Sequence, residues 1–178
     1  MENTTIRMAI AYDFDGTLSA GNMQEYDFIP ALNMTSHQFW EYVNKIKHDN
    51  NMDGILAYMY AMLESANKHK IPVKKADFNN FGKKIKLFDG VETWFSRINT
   101  YAQSKNVQVE HFVISSGLRE MIEGTTIHQE FKQIYASGFM FDHNGVACWP
   151  ALAINYTNKT QFLFRINKGS LDVFDDSV

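Results

Sequence analysis

Residues 9–22, AIAYDFDGTLSAGN, run out of an apolar segment into two aspartates one position apart, Asp13 and Asp15, and then into Gly16 and Thr17. The near-continuous apolar run over residues 6–14 predicts a strand buried on both faces of a parallel sheet. The carboxyl end of such a strand is where open α/β sheets bind ligands. Two unpaired carboxylates at that point repel each other, so the pattern calls for a divalent cation or a protonated partner. Oxygen donors favour a hard ion such as Mg2+. One aspartate can attack an electrophile covalently while the other handles protons on the leaving group and on water. Gly16 and Thr17 permit the sharp exit from the strand. Taken alone, DFDG is also what a polar strand end with a turn looks like. An EF-hand loop does not fit, because the twelfth position from Asp13 is Gln24 rather than an acidic residue.

The surrounding chain supplies the context. Its 178 residues suit one compact domain, with room for a smaller inserted lobe. With 45% apolar and 14% aromatic residues it can bury a substantial core, and a net charge of −3 argues against a general nucleic-acid or membrane surface. Cys148 is the single cysteine, so no intrachain disulfide forms. There is neither a secretory signal pattern nor an apolar run long enough to cross a bilayer. These features predict a cytoplasmic protein.

Periodicity divides the chain into an α/β core and a helical insert. Residues 19–86 read as helical: Phe39, Trp40, Val43 and Ile46 follow Ser36 as an N-cap, and Ile55, Leu56, Met59, Tyr60 and Leu63 form a second apolar stripe. Asp89 and Glu92 suggest a capping box for the next helix, and residues 109–114 read as a strand. Ser115, Ser116 and Gly117 then lead into a helix whose free N-terminal amides would form an anion site, with the Ser115 hydroxyl beside them. A serine there equally serves as an ordinary N-cap. Residues 139–149 read as a hairpin turning at Asn144-Gly145, with Asp142 and His143 in the turn. A helix over residues 160–167 closes at Lys168 and Gly169. Lys159 falls in its first turn, where a cation opposes the macrodipole and needs compensation. The expected domains are residues 1–18 and 87–178 as core and 19–86 as a helical cap.

Together these residues resemble the haloacid dehalogenase superfamily of phosphohydrolases. Asp13, Asp15, Gly16 and Thr17 match its first motif, Asp-x-Asp-Gly-Thr. Ser115 matches the second motif, a Ser or Thr ending the next core strand, and Lys159 the third, a Lys at a helix start. The insert is similar to the family's C1 cap, as in phosphoserine-phosphatase-like members. The resemblance implies a three-layer Rossmann-like core with a parallel sheet. It also implies a Mg2+-dependent phosphohydrolase acting on a small phosphorylated metabolite.

The roles follow from the same resemblance. Asp13 would be the nucleophile that forms an aspartyl-phosphate, and Asp15 the general acid and then base. Mg2+ would bridge Asp13, the Asp15 main-chain carbonyl and the substrate. Lys159, Ser115, Ser116, Gly117, Gly16 and Thr17 would surround the phosphate. A phosphotransferase or mutase using the same intermediate, or a non-catalytic binding protein, shares these motifs. The family's acidic fourth motif has no clear counterpart: only LDVFDDSV follows the helix that starts near Lys159, with Asp175 and Asp176 as candidate substitutes. In the family's sheet the nucleophile strand lies between two neighbours, so a chain without the fourth-motif strand is expected to leave an open edge, to self-associate and to be weakly active.

Overall fold

The computed structural model describes residues 5–175 and 177. Four strands form one sheet in the order β1-β2-β3-β4: β1 (Ile6–Tyr12), β2 (Val107–Leu118), β3 (Gln133–Phe141) and β4 (Ala147–Leu152). The first three are parallel, with Ile6 opposite Val107 and Tyr12 opposite Val113, and β4 returns antiparallel to β3. Among the described residues seven α-helices accompany them: α1 (Phe28–Ala31), α2 (Ser36–Asn50), α3 (Gly54–His69), α4 (Lys75–Gly82), α5 (Val91–Gln103), α6 (Arg119–Ile122) and α7 (Lys159–Lys168). This is the expected Rossmann-like α/β architecture.

The sheet separates two apolar layers, as the alternation of side chains along β2 and β3 requires. Val113 and Ala136 belong to the larger cluster, with Phe14, Phe78, Phe95 and Phe139. Phe112, Ile114 and Tyr135 pack on the opposite side with Ile154 and Phe162 of α7. Tyr135 and Phe162 stack with ring centroids 4.9 Å apart.

Helices α1 to α4 all fall between β1 and β2. The chain leaves and returns side by side, through an antiparallel bridge between Ser19 and Leu87 and a hydrogen bond from Phe88 N to Leu18 O. Helices α2 and α3 form an antiparallel-connected pair joined by Asn51 in the left-handed region, φ 50°. Asp53 caps α3, its Oδ1 accepting from Ile55 N and Leu56 N.

Several local expectations are corrected. The cap of α2 is Thr35, not Ser36, because Gln38 lies three residues on and closes a reciprocal capping box with it. Gly90, at φ 85°, precedes α5, and Glu92 accepts from Thr126 Oγ1 instead of capping its own helix. Strand β2 continues through Ser115, Ser116 and Gly117, with a bulge before Leu118, and α6 after it is a single turn. The second motif therefore sits on an irregular strand end rather than on a helix N-terminus. The hairpin turns as expected, with Gly145 at φ 73° and Asp142 Oδ1 accepting from Asn144 N and Val146 N. Its first strand, however, extends back to Gln133 and pairs in parallel with β2.

The largest departure concerns β1. Among the described residues it pairs with β2 alone, and Ile6 and Met8 are 63% and 40% exposed rather than buried on both faces. Beside it an open groove of about 850 Å3 runs between Met8, Ala11 and Phe112 on the sheet and Leu163 and Ile166 on α7. An unpaired apolar edge of this kind is a template for another chain. The 178-residue protein is expected to self-associate in sedimentation velocity, and Met8→Lys, which puts a charge on that edge, to shift it toward monomer. A parent chain that stays monomeric up to the highest soluble concentration would refute this.

Candidate active site

Asp13 is the first residue beyond β1. Phe14, fully buried, anchors the loop in the core, and its carbonyl accepts from the amides of Thr17, Leu18 and Ser19. Gly16 turns the chain with φ 76°, a conformation that favours glycine, and its amide donates to Ser19 O at 2.8 Å. The two aspartates flank the inward-pointing Phe14 and therefore emerge on one side, toward one small volume.

Their surroundings differ. Asp13 is half exposed; its Oδ1 accepts from Phe14 N at 2.8 Å and its Oδ2 lies 2.8 Å from Lys159 Nζ. Lys159 opens α7, so the negative charge of Asp13 compensates a cation placed at the positive helix end. Asp15 accepts a hydrogen bond from Met23 N at 3.1 Å. Burial, reinforced by the charges of Asp13 and Glu25, pushes its carboxyl up to about 7 against the hydrogen bonds from Met23 and Ser19.

The strand end of β2 supplies the opposite wall. Ser115 is buried, and its Oγ accepts from Gly117 N at 3.0 Å. Gly117 sits against Met23: a Cβ there would lie 2.1 Å from Met23 Cε and 3.1 Å from Asp15 Oδ2. Met23 Sδ accepts from Leu118 N at 3.0 Å, so one side chain ties the turn after the first motif to the second. Asp13, Asp15, Ser115, Ser116 and Gly117 line a common pocket of about 300 Å3. Larger grooves lie elsewhere, among them the one beside β1, an apolar one of about 780 Å3 between α3 and β4, and one of about 400 Å3 lined by Asp89 and Glu92. What distinguishes the smaller pocket is that both first-motif aspartates and the Ser115–Gly117 strand end line it together.

Not every predicted residue joins this pocket. Gly16 and Thr17 shape the loop and lie outside the lining. Asp175 accepts from Ser170 Oγ and from Ser177, beyond the far end of α7. Its main-chain carbonyl accepts from Arg165 Nη1 of α7, while Asp13 pairs with Lys159 at the start of that helix. Asp176 lies outside the described residues. Glu25, two residues past Met23, is occupied: its Oε1 accepts from Trp40 Nε1 and Asn22 Nδ2, both at 2.6 Å. Tyr26 Oη instead donates to Lys86 O.

Helices α2 and α3 close the pocket from above. Trp40, Val43, Asn44 and Lys47 present one helical stripe to it, and Ile55 and Tyr58 face it from α3. Tyr58 is buried and donates to Ser116 O at 2.7 Å, and burial holds its phenol well above the usual range. Sequence reasoning missed Tyr58 because it sits inside an apolar run with nothing to set it apart from packing residues.

Residues 10–159 match the haloacid dehalogenase-like hydrolases, and the chain belongs to that family. An uncharacterized protein of Borreliella burgdorferi is 28% identical over an alignment of 195 positions, covering 96% of this chain and 68% of that protein. A HAD family hydrolase from Salmonella enterica serovar Typhi superimposes with a TM-score of 0.61 at 18% identity, covering 90% of this chain. This chain spans only 51% of the Salmonella one. A phosphoserine phosphohydrolase-like protein from Francisella tularensis gives a TM-score of 0.57 at 19% identity, with 95% and 74% of the two chains covered. At these identities the structural likeness is one of fold. No helix among the described residues is long and apolar enough to cross a membrane.

Proposed function

We propose that the protein is a Mg2+-dependent phosphohydrolase of a small phosphorylated metabolite, working through an aspartyl-phosphate, with residues 19–86 as its cap. The observation that carries this reading is the contact of Lys159 Nζ with Asp13 Oδ2 at 2.8 Å, beside an Asp15 whose carboxyl titrates near neutrality. Neither acts alone: a nucleophilic carboxylate needs positive charge facing the phosphoryl oxygens, and a leaving alkoxide needs a proton.

Asp13 attacks phosphorus, the bond to the ester oxygen breaks, and the Asp15 proton passes to the departing oxygen. Water then attacks the phosphorus, Asp15 takes its proton, and Asp13 is released with inorganic phosphate. Because Ser115 Oγ accepts from Gly117 N, its own hydrogen remains available to donate to a phosphoryl oxygen. Lys159 offsets the charge that Asp13 and the phosphate bring together.

The donors around Asp13 fit Mg2+. The ion would be held by the half-exposed Asp13 carboxylate and, as the family resemblance implies, by the main-chain carbonyl of Asp15, both hard oxygens. Among the described residues no cluster of three or more His, Cys, Asp or Glu side chains competes as a dedicated metal cage. An ion that keeps most of its waters and is held by one or two carboxylates plus the substrate phosphate suits that set. When bound, it supplies positive charge against the phosphoryl oxygens. The direct test is release of inorganic phosphate from small phosphomonoesters with Mg2+ and with a chelator. Absence of turnover from every ester under both conditions would sink the proposal.

Asp15 gives this reading a pH signature. Its carboxyl must be protonated to serve the leaving group, so hydrolysis of an alkyl phosphate is expected to fall about tenfold per unit as pH rises above roughly 7. An aryl phosphate with a good leaving group should show a much shallower fall. Stability moves in the same direction. The folded carboxyl titrates near 7, above its ordinary 3.8, so the stability linked to its proton is fully present below 3.8 and lost as pH rises through about 7. In chelator, the melting temperature of Asp15→Asn relative to the parent is therefore expected to rise as pH goes from about 4 to about 8, by about 2–4 °C for each kcal/mol the parent loses. Equal pH dependence for alkyl and aryl esters would count against the acid role.

A further inference from the structure

Helix α3 opens on a side chain with two tasks. Asp53 Oδ1 caps the helix, accepting from Ile55 N and Leu56 N, and Asp53 Oδ2 accepts from Asn155 Nδ2 at 3.1 Å, across 102 positions of sequence. Asn155 is doubly engaged in the same way. Its Oδ1 accepts from Thr157 N, Thr157 Oγ1 and Asn158 N, which closes the turn that delivers Lys159. That turn is seated in the core: Asn158 bonds Asn155 N and Ala153 O through its amide group, and the fully buried Ile154 donates its main-chain N–H to Ser137 Oγ at 2.9 Å.

A hydrogen bond between partly exposed side chains contributes little when both must be ordered to make it. Here each partner is already held by its own capping duty, so joining them costs little further side-chain freedom. The bond also falls where the cap meets the phosphate end of the pocket. Gly54 and Ile55, directly after Asp53, line that pocket, and Tyr58 one turn on donates to Ser116 O at 2.7 Å. The start of α3 thus touches both core segments that grip phosphate, the Ser115 strand end and the turn before Lys159. Beyond the other end of α3 the cap is held by main chain, with Ala147 N donating to Val73 O.

Resting on the phosphohydrolase reading above, we infer that Asp53 and Asn155 are positioning residues whose hydrogen bond seats the first turn of α3 against the Lys159 segment, over the phosphate end of the pocket. Neither side chain lines the pocket, so both act through the residues beside them. With the bond broken, Ile55 is free to lift away, water enters, and the pull of Lys159 and Ser115 on a phosphate is screened.

A reciprocal exchange tests the pair. Asn caps a helix as well as Asp does, so Asp53→Asn keeps α3 capped but turns an amide nitrogen toward the Asn155 amide and breaks the bond. Asn155→Asp keeps the acceptor for Thr157 and Asn158 but sets a second carboxylate against Asp53. In the double variant the amide on α3 donates to the carboxylate on the turn, and the bond returns with its direction reversed. Calorimetric titration of the 178-residue chain with inorganic phosphate in Mg2+ is expected to show binding about fivefold weaker in Asp53→Asn, at least as weak in Asn155→Asp, and within about twofold of the parent in the double variant. The melting temperature of Asp53→Asn should stay within about 2 °C of the parent, because the pair is partly exposed. A residue that only capped its own helix would not give this rescue. Parent-like phosphate affinity in both single variants, or a double variant as weak as the weaker single, overturns the inference.

Kinetics with small phosphomonoesters separates this inference from the reading it rests on. KM should follow the phosphate affinity while kcat stays within about twofold, the mark of an interaction shared by ground and transition states. Turnover with one KM in all four proteins removes the pair and leaves the hydrolase. Phosphate binding with the exchange pattern but no turnover of any ester supports the pair and overturns the hydrolase, and a parent that binds no phosphate overturns both.

Discussion

Asp13→Asn is expected to lower phosphate release by about 10^4-fold or more while leaving the melting temperature within a degree or two of the parent. The carboxamide keeps the shape of the side chain and an oxygen able to accept from Phe14 N or face Lys159, so the local hydrogen bonding survives. What disappears is the anionic oxygen that attacks phosphorus, and no neighbouring group replaces it. Asp15 is committed to Met23 N and is half protonated near pH 7, and Ser115 is buried and bonded to Gly117 N. Stability changes little because the pair with Lys159 is partly exposed, where such pairs contribute about 0–1 kcal/mol. The assay has two readouts: steady-state phosphate release, and the mass of the peptide containing Asp13 after rapid acid quench of the parent with an aryl phosphate. A variant within tenfold of the parent, or a phosphoryl group on any other peptide, would remove Asp13 from the nucleophile role.

The two aspartates were legible because their signal is local. A strand that ends Asp-Phe-Asp buries the phenylalanine and exposes its neighbours together, whatever the rest of the chain does. Lys159 lies almost the whole chain away, and periodicity alone said only that a cation at a helix start needs a counter-charge. Motif order in the family pointed to Asp13, and the structure supplies the contact. Local rules failed where two answers fit equally and a distant residue decided. Ser36 and Thr35 can both cap α2, and Gln38 selects Thr35. Asp89 and Glu92 have capping-box spacing, but Thr126 takes Glu92.

The parallel pairing of β3 with β2 leaves no short-range pattern, and the hairpin signal at Asn144-Gly145 hid the earlier half of the strand. The apolar run of β1 was read as a doubly buried strand. Composition reports that a strand can be covered, not that a neighbour covers it. The place of Gln24 in the pocket wall was invisible for a related reason. A buried polar atom without a partner has no sequence signature, because what marks it is the absence of a contact.

Alanine at Gly82 or Gly124 is expected to cost stability more than any other single methyl added to this chain, by about 3 kcal/mol or more. A Cβ on Gly82 would lie 2.0 Å from Met121 O and 2.9 Å from Met121 C; one on Gly124 would lie 2.0 Å from Asn79 O and 2.8 Å from Asn79 C. Both clashes are with backbone, which cannot rotate aside as a side chain can, so α4 and α6 would have to separate. The contact they would break is well anchored. Asn79 Nδ2 donates to Glu120 O at 2.6 Å, Lys75 pairs with Glu123 at 3.0 Å, and Phe78 and Met121 are fully buried beside it.

Because α6 follows Leu118 directly, prising α4 away also pulls on the Ser115–Gly117 strand end that lines the active-site pocket. Each variant should therefore melt about 6–12 °C below the parent and, at temperatures where it remains folded, lose phosphate release as well. The two substitutions share one interface, so their combined cost should fall short of the sum of the single costs. Gly54→Ala is the matched control. A Cβ there meets nothing within 4 Å, and alanine in the first turn of α3 should leave the melting temperature unchanged or raise it. If Gly82→Ala melts within about 2 °C of the parent, the backbones of α4 and α6 do not approach this closely, and the cap is not pinned to the core through them.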